Sequence, residues 1–353
     1  MRKTLVNIFL IINLVVVLAL LTAYLSVYIS PEKYWIPSLF GLAYLFILIG
    51  NLFYIGFWLL VKPRYLLISL IPILLGWGFV SRYIQLSDEK IEKGDVKVMS
   101  YNVRYFTGDE NHTKKENANK IISFLDKQNA DIICLQEARL RKSSIFNMPN
   151  TVKKLGSISH YQYARSSTTY GSVTMTRYPI INMGEIRFDE SRNITIYTDV
   201  IIKKDTVRIF NVHLQSYQID PSKYSIIDSL GVNQEQDLKE VREMGSKFKQ
   251  AFEKRASQVD EIRKYIDESP YDVIVCGDFN DTPVSYAYQK MIGNLTDAFV
   301  NSGKGLGRTY IGKLPSFRID NILHGNKFES YNFQTYDFRL SDHLPISCEL
   351  VRK

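Results

Sequence analysis

Three long apolar runs occupy the start of the chain, at residues 4–29, 36–61 and 65–84, separated only by 30–35 and 62–64. Each reaches the roughly 20 residues needed to cross a hydrocarbon core. A signal peptide has an apolar core of only ~7–15 residues, and here two further runs follow the first. The runs therefore predict a three-helix transmembrane segment over 1–86, embedded through 4–84. No charged residue lies in their interiors, which speaks for an anchor and against a transport pathway. Arg2 and Lys3 precede the first run, and Lys62 and Arg64 follow the second, whereas Lys33 in the other connection is offset by Glu32. This bias puts the N-terminus in the cytoplasm, and an odd number of crossings then puts everything after Arg82 outside it. The expectation is an integral membrane protein with an extracytoplasmic domain.

The net charge of +8 is mostly a property of the anchor. Residues 1–86 hold six Lys/Arg and one acid, leaving 38 basic and 35 acidic residues beyond them. That balance lacks the strong basic excess of a dedicated nucleic-acid binder. Cys134, Cys276 and Cys348 all sit in apolar, strand-like runs. They read as small core residues, not as a disulfide framework or a zinc site. Residues 87–95 are polar and read as a linker, and 96–353 as one domain.

That domain alternates strands and helices. Strands are expected at 96–101, 131–135, 160–165, 171–176, 184–189, 194–202, 206–212, 272–277, 318–323 and 345–351. Helices are expected at 114–128, over most of 234–268, and near 284–292. Many strands with few helices argue an α+β sandwich, with packed sheets inside and helices outside. The stretch 216–245 is longer than a tight connection needs and reads as a lid or binding loop.

The domain centres on Asp272-Val273-Ile274-Val275-Cys276-Gly277-Asp278-Phe279-Asn280-Asp281. Its apolar β-formers predict a buried central strand, which holds Asp278 and Asn280 rigidly at its end. Other strand ends share this character: Asn102, Glu137, Asn211 with His213, Asp320, and Asp342 with His343. Gathered at one sheet edge, these carboxylates, amides and imidazoles suit a hard divalent cation, Mg²⁺ or Mn²⁺. Such a cluster fits hydrolysis of a phosphate ester.

The ordered series SYNVR, LQE, TRYPI, NVHL, GDFN, RIDNIL and SDHLP resembles the endonuclease/exonuclease/phosphatase superfamily over residues 95–352. The resemblance implies a four-layered sandwich and a metal-dependent phosphodiesterase or phosphatase. It implies a metal site at Glu137 with Asn102 and Asp342, and Asp278 as the residue that activates water, with Asn280 beside it. It further implies that His343 neutralises the phosphate, held by Asp320; His213, a second imidazole, is then expected to protonate the leaving oxygen. Arg177 matches a phosphate-touching position, and Asn211 stands with it as a substrate-binding candidate.

Fold does not fix substrate. The anchor and the balanced charge favour a membrane-facing phosphodiesterase acting on a lipid head group. An extracytoplasmic nuclease is the alternative, since Lys239, Arg242, Lys247, Lys249, Lys254 and Arg255 lie along one helix. They alternate with Glu235, Asp237, Glu240 and Glu243, the pattern of a solvated face. A phosphatase on a soluble substrate and a non-catalytic binding domain are further alternatives. No obligate protein partner is evident.

Overall fold

Inward-facing and outward-facing residues alternate along the soluble strands, and this alternation sorts them into layers. A computed structural model describes residues 2–91, 93–108, 111–139, 147–166, 169–218, 234–312 and 318–353. The strands are β1 (Ile84–Gln85), β2 (Val96–Asn102), β3 (Ile132–Arg139), β4 (His160–Arg165), β5 (Tyr170–Thr176), β6 (Ile180–Arg187) and β7 (Ile194–Ile202). They continue with β8 (Asp205–His213), β9 (Asp272–Asp278), β10 (Thr296–Asp297), β11 (Gly305–Leu306), β12 (Asp320–His324), β13 (Phe328–Thr335) and β14 (Ile346–Arg352). Two six-stranded sheets form, in the orders β10-β12-β9-β8-β7-β6 and β13-β14-β2-β3-β5-β4. Each holds one parallel pair, β8 with β9 and β2 with β3.

Val98, Ile132, Cys134 and Cys348 of one sheet face Ile209, Ile274, Cys276 and Ile322 of the other in the core between them. The three cysteines are free and buried, as core residues. The intervening residues Met99, Ile133 and Leu135 pack under Ala118, Ile121, Ile122 and Leu125 of a helix at Lys114–Gln128. On the opposite outer face, Phe210, Val212, Val273 and Val275 pack under Val259, Ile262 and Ile266 of the helix at Gln234–Asp267. Helix, sheet, sheet and helix thus stack as the expected four layers. The long helix begins at Gln234, so 234–245 is helical and not loop; residues 219–233 of the expected lid lie outside the described residues.

Of the N-terminal helices, Arg2–Leu25 and Tyr44–Val61 are each long and apolar enough to cross a membrane. The third apolar run is not one helix. A 3-10 turn at Pro63–Leu66 leads into Leu67–Leu75, which contains Pro72, and Gly76 then separates it from Trp77–Ser81. Proline removes a helical hydrogen bond and crowds the preceding turn, which accounts for a broken path. Inside the bundle, Asn13 donates to Ser69 (2.7 Å) and accepts from the Trp58 indole N–H (2.8 Å). Such interhelical bonds are how apolar helices with few polar groups fix their packing. A ring of apolar side chains faces outward, including Leu18, Ile49, Phe53, Leu60 and Leu75.

Within the expected linker, residues 89, 91 and 95 bond to the domain. Asn332 accepts from Ile91 N–H and donates to Ile91 O, and its own N–H donates to Glu89 O. Asp95 N–H donates to Leu350 O.

Candidate active site

The strands of each parallel pair end together, since a crossover returns the chain to its starting edge, and the two pairs end on the same side of the sandwich, where Asn102 of β2 meets Asp278 of β9. Asn102 lies beside Gln136, next to Glu137, while His213 lies directly beside Asp278. The antiparallel β12 brings Asp320 opposite Asp278 at its first residue. Gly277 permits the close approach of β9 to β8: with φ at 145°, a Cβ there would stand 1.9 Å from Val212 O. Glu137 (φ 53°) and Asn280 (φ 51°) also take the left-handed region, as do Arg104, Tyr105 and Phe106 in succession. Backbone strain of this kind collects where side chains must be aimed at one point.

Asp278 is the hub. Its carboxylate accepts from Asn102 Nδ2 (2.9 Å), Asn280 N–H (2.8 Å) and Asn280 Nδ2 (3.1 Å). His343 Nε2 stands 3.7 Å from it and His213 Nε2 3.9 Å. His343 Nδ1 is 2.9 Å from Asp320 Oδ2. His213 Nε2 is 3.5 Å from Glu137 Oε1 and has no hydrogen-bond partner among the described residues. Asp342 lies at the rim, one oxygen facing Arg104 Nε at 3.3 Å.

These surroundings separate the two imidazoles. Burial pulls His343 toward neutrality, but the carboxylates of Asp320 and Asp278 outweigh it and push its pKa up to about 10. Burial dominates at His213 and, with the neighbouring His343, depresses its pKa against the pull of Asp278. One ring is thus held as a cation and the other neutral, a division that assigns different tasks to similar groups. A depressed pKa makes His213 a poor reservoir of acid at neutral pH. Burial likewise pushes the Glu137 carboxyl up to about 7, with Asp278 and Asp342 adding to it and His343 opposing.

Two expected substrate contacts are not in the cleft. Arg177 pairs with Asp131 (2.6 Å), just before β3 begins, whereas Glu137 lies near that strand's other end. Strands β3 and β5 run antiparallel, so the residue after β5 is carried away from the site. Asn211 is fully buried; its amide donates to Val173 O (2.8 Å) and Leu135 O (3.2 Å), and its oxygen accepts from Gln136 (2.8 Å). It ties one sheet to the other behind Glu137 and has no surface left for substrate.

Three residues near the cleft escaped the sequence reading. The Tyr105 hydroxyl is hydrogen-bonded to Glu137, and its ring meets Tyr170 edge-on at 4.7 Å. The Tyr310 ring meets the His343 ring edge-on at 5.4 Å. Arg104 lies two residues beyond Asn102, and the left-handed turn that aims it at Asp342 leaves no signature in residue type.

Two back-to-back mixed sheets with a carboxylate–imidazole cluster at one end define a phosphoesterase-like sandwich. The family model described as Endonuclease/Exonuclease/phosphatase family matches residues 99–343, and the chain belongs to that family. A second model, a domain of unknown function, matches residues 6–83. No curated protein matches significantly. The fold is similar to that of an endonuclease/exonuclease/phosphatase from Beutenbergia cavernae, with a TM-score of 0.53 at 15% identity, over 73% of this chain and 71% of that one. A Bacteroides vulgatus protein described in the same words gives 0.52 at 16% identity, over 73% and 99%. The catalytic domain of human Nocturnin, solved with a bound sulfate anion, gives 0.51 at 16% identity, over 73% and 93%.

Proposed function

We propose that this chain is a membrane-anchored, divalent-metal-dependent phosphodiesterase acting on a phosphate ester at the membrane surface, a lipid head group. The observation that carries this reading is where the helices meet the domain. Ser26, Gly41 and Arg82, at the domain-facing ends of the apolar helices, contact residues 282–284, which follow Asn280 directly. The catalytic edge of the sandwich is therefore the edge turned toward the apolar helices. The outward-facing Leu, Ile and Phe of those helices form a patch far beyond what a soluble surface carries, which suits lipid.

The donor set fits a hard cation. Glu137 and Asp342 offer acceptor-only oxygens, and Glu137 is raised partly because like charges surround it. Asn102 Oδ1 already accepts from Arg104 N–H (3.1 Å) and has one lone pair to spare. Asp278, Asp320 and His343 also bring one donor atom each within 4.8 Å of one another. His343 is bound to Asp320 and held as a cation, so that trio repels a metal and the Glu137–Asp342 side is the better seat. A bound Mg²⁺ or Mn²⁺ would stabilise charge on the phosphoryl oxygens.

The chain's own groups complete the chemistry. Asp278, fixed by its three N–H donors, orients a water and takes its proton. The His343 cation, aligned by Asp320, stabilises charge developing on the phosphate. His213 hydrogen-bonds the leaving oxygen, which takes its proton from solvent.

The full-length protein in lipid nanodiscs with Mg²⁺ is expected to cleave a chromogenic phosphodiester and to lose that activity in EDTA. Against glycerophospholipid, a sphingomyelin-type lipid, plasmid DNA and RNA, release of a phosphorylated head group is the expected result. Cleavage of nucleic acid alone would replace the lipid reading with the nuclease reading.

The orientation is proposed from charge. Arg2, Lys3, Lys62 and Arg64 lie at the helix ends away from the domain, and the positive-inside bias assigns that end to the cytoplasm. A reporter active only outside the cytoplasm, fused after Lys353, is expected to be active. Activity of a cytoplasm-only reporter at the same position would reverse the orientation.

A further inference from the structure

A tether needs no contact with the machinery it carries, yet here the helix ends grip the chain on both sides of the site. Residues 281–285 leave β9 immediately after Asn280. Thr282 Oγ1 donates to Gly41 O (3.4 Å), and Ser26 Oγ, whose proton is shared with Ala23 O (2.7 Å), lies 3.3 Å from Val284 O. The Val284 side chain is fully buried among Leu20, Ala23, Val27, Tyr44 and Tyr83. The fit is closed at Gly41, where a Cβ would stand 2.3 Å from Val284 O and 2.4 Å from Ser26 Oγ.

The last helical turn adds a second grip. Arg82 donates to Pro283 O (2.9 Å) and to Gln289 Oε1 (2.8 Å), and its guanidinium lies over the Tyr288 ring at 5.1 Å. Its carbonyl accepts from Arg318 Nη1 (2.9 Å). Arg318 is buried and ion-paired with Asp297, two residues before Asp320. Tyr83 O then accepts from Gly307 N–H (3.0 Å), and β1 pairs with β11. That strand leads to Thr309, whose Oγ1 accepts from Asp320 N–H (3.1 Å) and whose carbonyl accepts from Leu344 N–H (2.7 Å). From the domain side, the buried Arg255–Asp281 pair (3.0 Å) fixes the opposite flank of the same loop.

We infer that the N-terminal helices are a clamp that positions Asp278, Asn280 and Asp320, with Gly41, Arg82 and Tyr83 as positioning residues. The inference rests on the phosphodiesterase reading for its kinetic consequence but not for its structural one. A shift of about 1 Å transmitted from outside a site is enough to cost on the order of 10²-fold in rate.

The test compares full-length wild type, Gly41→Val and Gly56→Val in nanodiscs. Gly56 has nothing within 4 Å of its would-be Cβ and serves as the control. A small water-soluble chromogenic diester, which needs no delivery from the bilayer, separates positioning from substrate access. Gly41→Val is expected to lower kcat by on the order of 10–10²-fold with KM within about twofold. Hydrogen exchange over residues 279–285 should rise in that variant and stay at the wild-type level in Gly56→Val. Unchanged exchange, or raised exchange with unchanged kcat, overturns the clamp; so does a rise in KM alone. A wild-type protein inert toward every diester would sink the phosphodiesterase reading, and the exchange comparison would still decide the clamp. Should Gly41→Val fail to fold, Tyr83→Phe removes only the hydroxyl, which bonds Thr282 and the Val284 backbone, and is read by the same two measurements.

Discussion

Asp278→Asn is expected to lower turnover by on the order of 10²–10⁴-fold while the protein remains folded. The substitution keeps the shape of the side chain and removes its charge, so it isolates what the carboxylate does. Three N–H donors converge on it now, from Asn102 and twice from Asn280. An amide in its place would point an NH₂ at some of these donors and supply no base for the water. It would also deprive His343 of one of the carboxylates that outweigh burial, leaving Asp320 and Asp342 to hold the cation. Loss at Asp278 therefore weakens two functions at once, which argues for the upper part of the range. His343→Ala should fall in the same range, and the double variant should cost less than the product of the two single losses, because the groups act as a unit. Steady-state kinetics with thermal unfolding of each variant is the check. A folded Asp278→Asn protein with turnover near wild type would remove Asp278 from the mechanism.

The sequence revealed the site through its strand ends and hid it where contacts are long-range. Strand β9 is apolar on both faces and bounded by Gly277, so its burial and its terminus could be read from residue type alone. The same logic placed Asn102, Glu137, His213 and Asp320 at strand ends; the two parallel pairs carry the first three to the edge that holds Asp278, and the antiparallel β12 starts there with Asp320. Arg177 misled because a cation at a strand end carries no label for which end of the sheet it occupies. Asn211 misled because an amide that cross-links two sheets and an amide that meets a substrate have the same residue type. Strand β13 went unread, since it is an edge strand with a bulge between Tyr331 and Gln334 and little alternation. The grip of Ser26, Gly41 and Arg82 on residues 282–284 spans more than 200 positions, and no local pattern announces it. The apolar runs were read as an anchor from composition; that they also touch the catalytic edge comes only from the fold.

Removal of the metal should silence the enzyme, and Glu137 should show why. Glu137→Gln is expected to raise the half-saturating Mg²⁺ concentration by at least ~10²-fold, the upper end of what losing even an outer-shell partner costs. The pH dependence carries the sharper signature. In the metal-free protein the Glu137 carboxyl is pushed up to about 7 by burial first, then by Asp278 and Asp342, against the opposing pull of His343 and the Tyr105 hydrogen bond. A raised carboxyl pKa means that the folded state holds this proton more tightly than the unfolded chain does. The metal-free fold therefore loses stability as pH rises from the ordinary carboxyl value of 4.5 through about 7. A cation requires the carboxylate, so binding expels the proton, and Mg²⁺ affinity should climb with pH up to about 7 and level off above it. The glutamine variant has no proton to expel, so its weaker affinity should be flat through this window. Calorimetric Mg²⁺ titrations of both proteins between pH 5.5 and 8.5, in buffers of differing ionisation enthalpy, measure the affinity and the proton released together. Equal affinities, or a pH slope that survives in Glu137→Gln, would take Glu137 out of the metal site.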